Sequence, residues 1–211
     1  MYKRQLQERI HRIWDELALF EAAKNQAALL YLLGAVAEMV DAQNAYWMGA
    51  VRMNDDERDP LRGWRPRLIR YLRPLPNDEK FTQQRIRSLQ QGRTVDEATV
   101  AQVRLAGTFR ACRLRDLVSA DWFKGETYQG YRARSVHDSL VVAVPISPTA
   151  EGYYGFLRMR ENDSFTEAQR DVAFHALRGL SWFHRQVMLL MAFTLHARRF
   201  PPWNVVCWRS Y

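Results

Sequence analysis

The chain has 211 residues, with 31 Lys and Arg against 23 Asp and Glu, a formal charge of +8, and 47% hydrophobic and 26% charged residues. That balance fits one ordinary folded unit and excludes a wholly disordered chain, and no apolar run reaches the roughly 18 residues of a membrane-spanning helix. Two cysteines, Cys112 and Cys207, cannot make a disulfide framework, and the polar stretch from Met1 to Arg9 is no secretory signal, so a reducing cytoplasm is the expected location.

In chain order, Leu6, Ile10, Ile13, Leu17 and Phe20 recur at spacings of four and three, which predicts a helix with one apolar face. Leu29, Leu32, Val36 and Met39 repeat that period, and a join around residues 22–25 predicts a helical hairpin. The period then changes to two in residues 45–53, a strand signal supported by aromatic and β-branched content. After a polar break at 54–60, residues 65–72 predict a second strand, with Pro66 confining its start to an edge or a bulge. Residues 78–91 predict a polar helix, and Thr94-Val95-Asp96-Glu97 predicts a helix start by its capping-box pattern. A short strand is expected at 109–113, an interior strand at 140–144 and a further strand at 152–160, the last two forming an antiparallel hairpin. Ser164-Phe165-Thr166-Glu167 reads as a second capping box, with Ser164 as the cap of one continuous helix running to about His196. At ~1.5 Å per residue such a helix would be about 45 Å long, which points to a dimer contact or a link to another domain. The sum is an α+β fold, an antiparallel sheet flanked by helices on one side with the terminal helices packed together. Residues 1–196 are expected to form a single domain and 197–211 an irregular tail.

Enzyme signatures are sparse. Neither a glycine-rich phosphate loop nor a G-x-S-x-G elbow occurs, the two cysteines have no C-x-x-C partner, and the five histidines lack metal-site spacing. On one long helix His175 and His184 would face opposite ways. His137-Asp138 is an adjacent pair better suited to a structural or pocket role than to metal hydrolysis. Cys112, between Arg110 and Arg113, is either an activated thiol or a half-buried structural cysteine. Only four of the 31 basic residues are lysine, a usage that reflects base composition more readily than binding. Arg58, Arg62, Arg65, Arg67, Arg70 and Arg73 nevertheless crowd one segment, as a nucleic-acid face or as a solvated surface paired with Asp55, Asp56, Glu57 and Asp59. Aromatic residues along 113–138, together with Tyr46, Trp47, Tyr153 and Tyr154, are enough to line a small-molecule pocket or to pack as plain core.

Several motifs bring these features together: 42–47 (AQNAYW), 59–66 (DPLRGWRP), Phe109-Arg110, 114–118 (LRDLV), 121–123 (DWF), Tyr128 to Asp138, and 179–186 (GLSWFHRQ). Spread over residues 8–192, they resemble the GAF-like amino-terminal sensor region of bacterial LuxR-type helix-turn-helix transcriptional regulators. The resemblance implies a GAF/PAS-like antiparallel sheet, a signal pocket and no catalysis. In that reading the pocket lies between the sheet and segment 113–138. Tyr46, Trp47, Trp122, Tyr128 and Tyr131 stack on or enclose the ligand, Asp138 takes one of its polar groups, and no cofactor or metal is required. Family members continue beyond the final helix into a DNA-binding domain. Here residues 201–211 carry no helix-turn-helix period, so direct DNA binding is not expected of this chain. A stand-alone sensor, a truncated gene or a shortened product would each account for that end. The expected partners are a second copy of the chain or a full-length regulator, and no membrane. The alternatives are a small enzyme on the same fold, using Cys112 or His137 and Asp138, and a basic nucleic-acid-binding module.

Overall fold

A computed structural model describes residues 2–76, 95–161 and 163–197. The helix expected at 78–91 and the tail beyond 197 lie outside the described residues.

The first helices are α1 (Tyr2–Ala18) and α2 (Asn25–Met39), joined through a 3-10 turn at Ala22–Lys24. Ile10, Ile13 and Leu17 of α1 are buried, as are Leu29, Leu32, Leu33 and Val36 of α2, so the predicted stripes are the packing faces. At the end of α2 the amide of Asp41 donates to the Glu38 carbonyl and that of Ala42 to the Ala37 carbonyl, with Asp41 in the left-handed region at φ 53°. The Arg158 guanidinium then fixes Asp41 in place, bonding both its carbonyl and its carboxylate.

Five strands follow: β1 (Asn44–Arg52), β2 (Trp64–Tyr71), β3 (Arg110–Arg113), β4 (Asp138–Ser147) and β5 (Ala150–Arg158). They form one sheet in the order β2-β1-β5-β4-β3, with every pair antiparallel. β2 is an edge strand, and its register against β1 slips between Gly49, opposite Leu68, and Ala50, opposite Pro66. The slip bulges Arg67 beside the proline, whose missing N–H an edge tolerates. The turn before β2 is built on Asp59, whose carboxylate accepts from the amides of Leu61 at 3.0 Å and Gly63 at 2.8 Å and from Arg65 at 2.7 Å. Burial alone would raise its pKa, but those donors outweigh burial and hold it below the ordinary carboxylate value.

The remaining helices are α3 (Glu97–Arg104), α4 (Glu126–Arg132), α5 (Glu167–Arg178) and α6 (Ser181–Ala197), with 3-10 turns at Leu114–Asp116 and Ala120–Lys124. Three expectations are corrected. The cap of α3 is Asp96, whose side chain accepts from the Thr99 amide, and Thr94 lies outside the described residues. The cap of α5 is Thr166, in a reciprocal box with Gln169, rather than Ser164. Phe165 is buried and its amide donates to Asp138 at 2.8 Å, which keeps the chain extended up to Thr166 and delays the helix by two residues. The single helix expected from there to His196 is two helices, broken at Gly179 and Leu180. A Cβ on Gly179 would lie 2.4 Å from the Trp14 ring, and the Trp14 indole donates to the Ala176 carbonyl at 2.8 Å, so α1 presses into the break. The length argument for a dimer therefore falls away, and His175 and His184 belong to different helices.

One face of the sheet presents Ala45, Trp47, Leu140, Val142, Val144, Tyr154 and Phe156 to α1, α2, α5 and α6, forming the main core. His184 of α6 pins that layer to β5. Its Nε2 faces the Leu177 carbonyl at 2.8 Å and must carry the proton, so Nδ1 accepts from the Tyr154 hydroxyl at 2.8 Å. The opposite face is covered as well, by α3, α4 and the 3-10 turn at Leu114–Asp116, rather than left open as a sheet flanked on one side would be.

Candidate functional site

Strand pleating sends alternate side chains to opposite faces, so the residues between those of the main core form a second surface. Tyr46, Met48 and Ala50 of β1, Ser139 and Val141 of β4, and Tyr153 and Leu157 of β5 face away from the main core. Trp64, Pro66 and Ile69 extend this floor onto β2. Above it stand Ala98, Thr99, Gln102 and Val103 of α3, Leu114 and Leu117, Tyr131 of α4, and Arg134 and Val136 just after it. Between floor and roof lies a chamber of about 160 Å³. Its described lining is largely apolar, with Arg65 and Arg134 as the charged residues and no carboxylate.

A buried polar cluster closes one end of the chamber. Arg110 of β3 meets Glu151 of β5 through two parallel contacts, both at 3.1 Å. Glu151 is fully buried and also accepts from the Gly107 amide at 2.6 Å and from the Tyr153 hydroxyl. Arg110 further donates to the Thr108 carbonyl at 2.9 Å, the Gln102 carbonyl at 2.9 Å and the Gln102 side-chain oxygen at 2.9 Å. Burial, and then the adjacent Glu151 carboxylate, raise the Tyr153 hydroxyl well above the ordinary tyrosine value. The cluster joins the last turn of α3 to the sheet, so the roof is held by the same groups that satisfy the buried charges.

The residues singled out from sequence fall in several places. Tyr46 and Tyr131 line the chamber. Trp47, next to Tyr46 on a strand, necessarily points the other way and is buried in the main core. Trp122 and Tyr128 form an aromatic cluster with Phe123 and Tyr131, ring centroids 5.1 to 5.8 Å apart, behind the chamber wall. The Tyr128 hydroxyl donates to the His137 carbonyl at 3.0 Å. Asp138 sits with His137 and Tyr128 in a separate polar cleft. Its two carboxylate oxygens accept from the Ser139 and Phe165 amides, both at 2.8 Å. Burial raises its pKa, and those amide bonds only partly offset the rise. Trp64, Gln102, Arg110 and Glu151 were not anticipated. Trp64 and Arg110 lay inside motifs noted in the sequence, but no local pattern distinguishes Gln102 or Glu151.

The chemical alternatives find little support. Burial raises the Cys112 thiol, more than the neighbouring Arg110 charge lowers it, which is the opposite of an activated thiolate. Among the described residues no three His, Cys, Asp or Glu side chains gather as metal ligands. In the arginine-rich segment Arg65 pairs with Asp59 and Arg73 donates to the Gln43 carbonyl at 3.0 Å, while Asp55 pairs with Arg52 of β1. No helix among the described residues is long and apolar enough to cross a membrane.

The architecture is therefore α+β: a five-stranded antiparallel sheet with a helical layer on one face and a roofed chamber on the other. No family model and no curated protein sequence matches the chain. Solved structures do. The ligand-binding domain of VqsR from Pseudomonas aeruginosa is similar with a TM-score of 0.51 and 15% identity, over 91% of this chain and 97% of that one. CepR2 from Burkholderia cenocepacia, described as an N-acylhomoserine lactone-dependent LuxR family transcription factor, is similar with a TM-score of 0.55 and 11% identity, over 87% and 98%. SdiA in complex with octanoyl-rac-glycerol is similar with a TM-score of 0.50 and 11% identity, over 92% of this chain and 67% of that one. At these identities the likeness is one of fold, and the fold is that of LuxR-type ligand-binding domains.

Proposed function

We propose that this chain is the sensor module of a LuxR-type transcriptional regulator, without catalytic activity, and that it binds a small amphipathic signal in the chamber beneath α3 and α4. The chamber carries this reading. Its volume of about 160 Å³ and its largely apolar lining are those of a site for a small apolar molecule. The acyl chains named for CepR2 and SdiA are of the kind such a lining accepts. Tyr46 and Tyr131 would face the ligand, while Trp47, Trp122, Tyr128 and Asp138 hold the walls in place. The sheet would act as a GAF/PAS-like platform in the cytoplasm. Trp182 and Leu189, seven residues apart on one side of α6 and 46% and 60% exposed, offer a surface for pairing with a second copy or a full-length relative.

The test is thermal unfolding of the purified protein with N-octanoyl-homoserine lactone and with octanoyl-glycerol. A ligand at a hundred times its Kd adds about 2.7 kcal/mol of stability, a rise of a few degrees in Tm. An unchanged Tm with both compounds at saturating solubility rejects the reading.

A further inference from the structure

On the other side of the sheet from the chamber, a cleft of about 260 Å³ opens where α5 gives way to α6. Its apolar wall is made by Phe109, just before β3, and by Val144, Pro145 and Ile146 of β4. Arg178, the last residue of α5, and Arg185 of α6 supply its charge, and no carboxylate is among its lining residues. His184 also borders it, but both ring nitrogens are already engaged, one by the Tyr154 hydroxyl and the other by the Leu177 carbonyl. Nearby arginines are compensated, Arg113 by Asp116 at 2.7 Å and Arg170 by Asp171 at 2.9 Å. Arg178 and Arg185 form no ion pair among the described residues. Arg178 is held by aromatic faces instead, its guanidinium carbon 4.8 Å from the centre of the Phe109 ring and 5.6 Å from that of Phe174. Stacking fixes the direction of a guanidinium without consuming its N–H donors, which stay available to an anion.

From this arrangement we propose that the cleft is a second binding site, for a small organic monophosphate, with Arg178 and Arg185 on the phosphate and the wall of Phe109, Pro145 and Ile146 against the organic group. The inference is independent of the reading of the chamber. Two uncompensated positive charges match the nearly two negative charges of a phosphate monoester at neutral pH, and match the single charge of a carboxylate or a phosphodiester less well. The guanidinium fork suits phosphate oxygens, and two such forks can share one phosphate. The apolar wall distinguishes an organic phosphate from the bare inorganic ion, which has nothing to place against it.

The experiment is calorimetry of the purified protein at low ionic strength, with phenyl phosphate and with inorganic phosphate as probes. Wild type is expected to bind phenyl phosphate about tenfold more tightly than inorganic phosphate, through burial of the ring. Arg178→Gln and Arg185→Gln should each weaken phenyl phosphate about tenfold, the loss of one charge-assisted contact. Arg170→Gln, on α5 but outside the cleft, should change the affinity by no more than about twofold. Circular dichroism checks folding, and Arg185→Gln, which removes no aromatic stack, decides the matter if Arg178→Gln does not fold. No binding of phenyl phosphate at millimolar concentration overturns the inference. So does an equal loss in Arg170→Gln, which would mark a general attraction to a basic protein, and so does inorganic phosphate bound as tightly as phenyl phosphate.

Discussion

His184 is buried, and burial pushes its pKa down to about 4, the Leu177 carbonyl only partly opposing the shift. Its unfolded value lies near 6.5, so as the pH falls the unfolded chain takes up a proton before the folded one can. The stability His184 contributes is therefore complete above about pH 6.5 and is lost progressively towards pH 4, roughly 3 kcal/mol in all. Asp138 works in the opposite sense, because its carboxyl is raised by burial. The check is urea unfolding of wild type and His184→Gln at pH 7, 5.5 and 4.5. Wild type should lose stability over this range by more than the variant does, and parallel losses would mean that His184 is not the group responsible. The same scale shows why single residues were hard to assign from sequence. Tyr46 and Trp47 are equally aromatic neighbours, but pleating sends one to the chamber and the other to the main core. Gln102 acquires its meaning from Arg110, eight positions on, and from Glu151, which is 41 positions beyond Arg110.

Among the elements, helices and strands were legible because each has a strong period of its own. Their ends were less so. Residues 164–169 contain two overlapping capping patterns, Ser164 with Glu167 and Thr166 with Gln169, and local rules do not choose between them. The bond from the Phe165 amide to Asp138 chooses, by keeping the chain extended up to Thr166. Thr166→Ala should consequently cost about 1 kcal/mol and Ser164→Ala close to nothing in chemical denaturation. The reverse order would restore the earlier helix start. The break between α5 and α6 has a similar origin. Gly179 has an ordinary φ of −79°, so the restriction there is space beside Trp14 and not backbone freedom. A packing partner 165 positions upstream leaves no trace in the helical period, which runs through the break unchanged.

Taken as a whole, the molecule gives its two sheet faces different tasks. The helical side is packed with large side chains such as Trp47, Tyr154, Phe156 and Phe183, whereas the side beneath α3 and α4 leaves space. Filling that space should stabilise the fold and remove the ligand response. Val141 lines the chamber from β4, and Val141→Phe is expected to raise the Tm of the free protein by a few degrees while abolishing the shift caused by octanoyl-glycerol. A variant that is destabilised yet still responds would place the ligand elsewhere.

By itself the sequence determined the α+β composition, the positions of the five strands and the helical hairpin at the start, whereas the α3 part of the chamber roof lay outside the 113–138 segment it pointed to. Those features follow from short-range periodicity, proline placement and turn chemistry, which act within a few residues. Tertiary structure alone decided the strand order, the division of β1 between core and chamber, the interruption of the last helical stretch and the buried pairing of Arg110 with Glu151. Each of these depends on groups brought together from distant parts of the chain. A buried charge such as Glu151 or an empty space such as the chamber exists only once those parts have met.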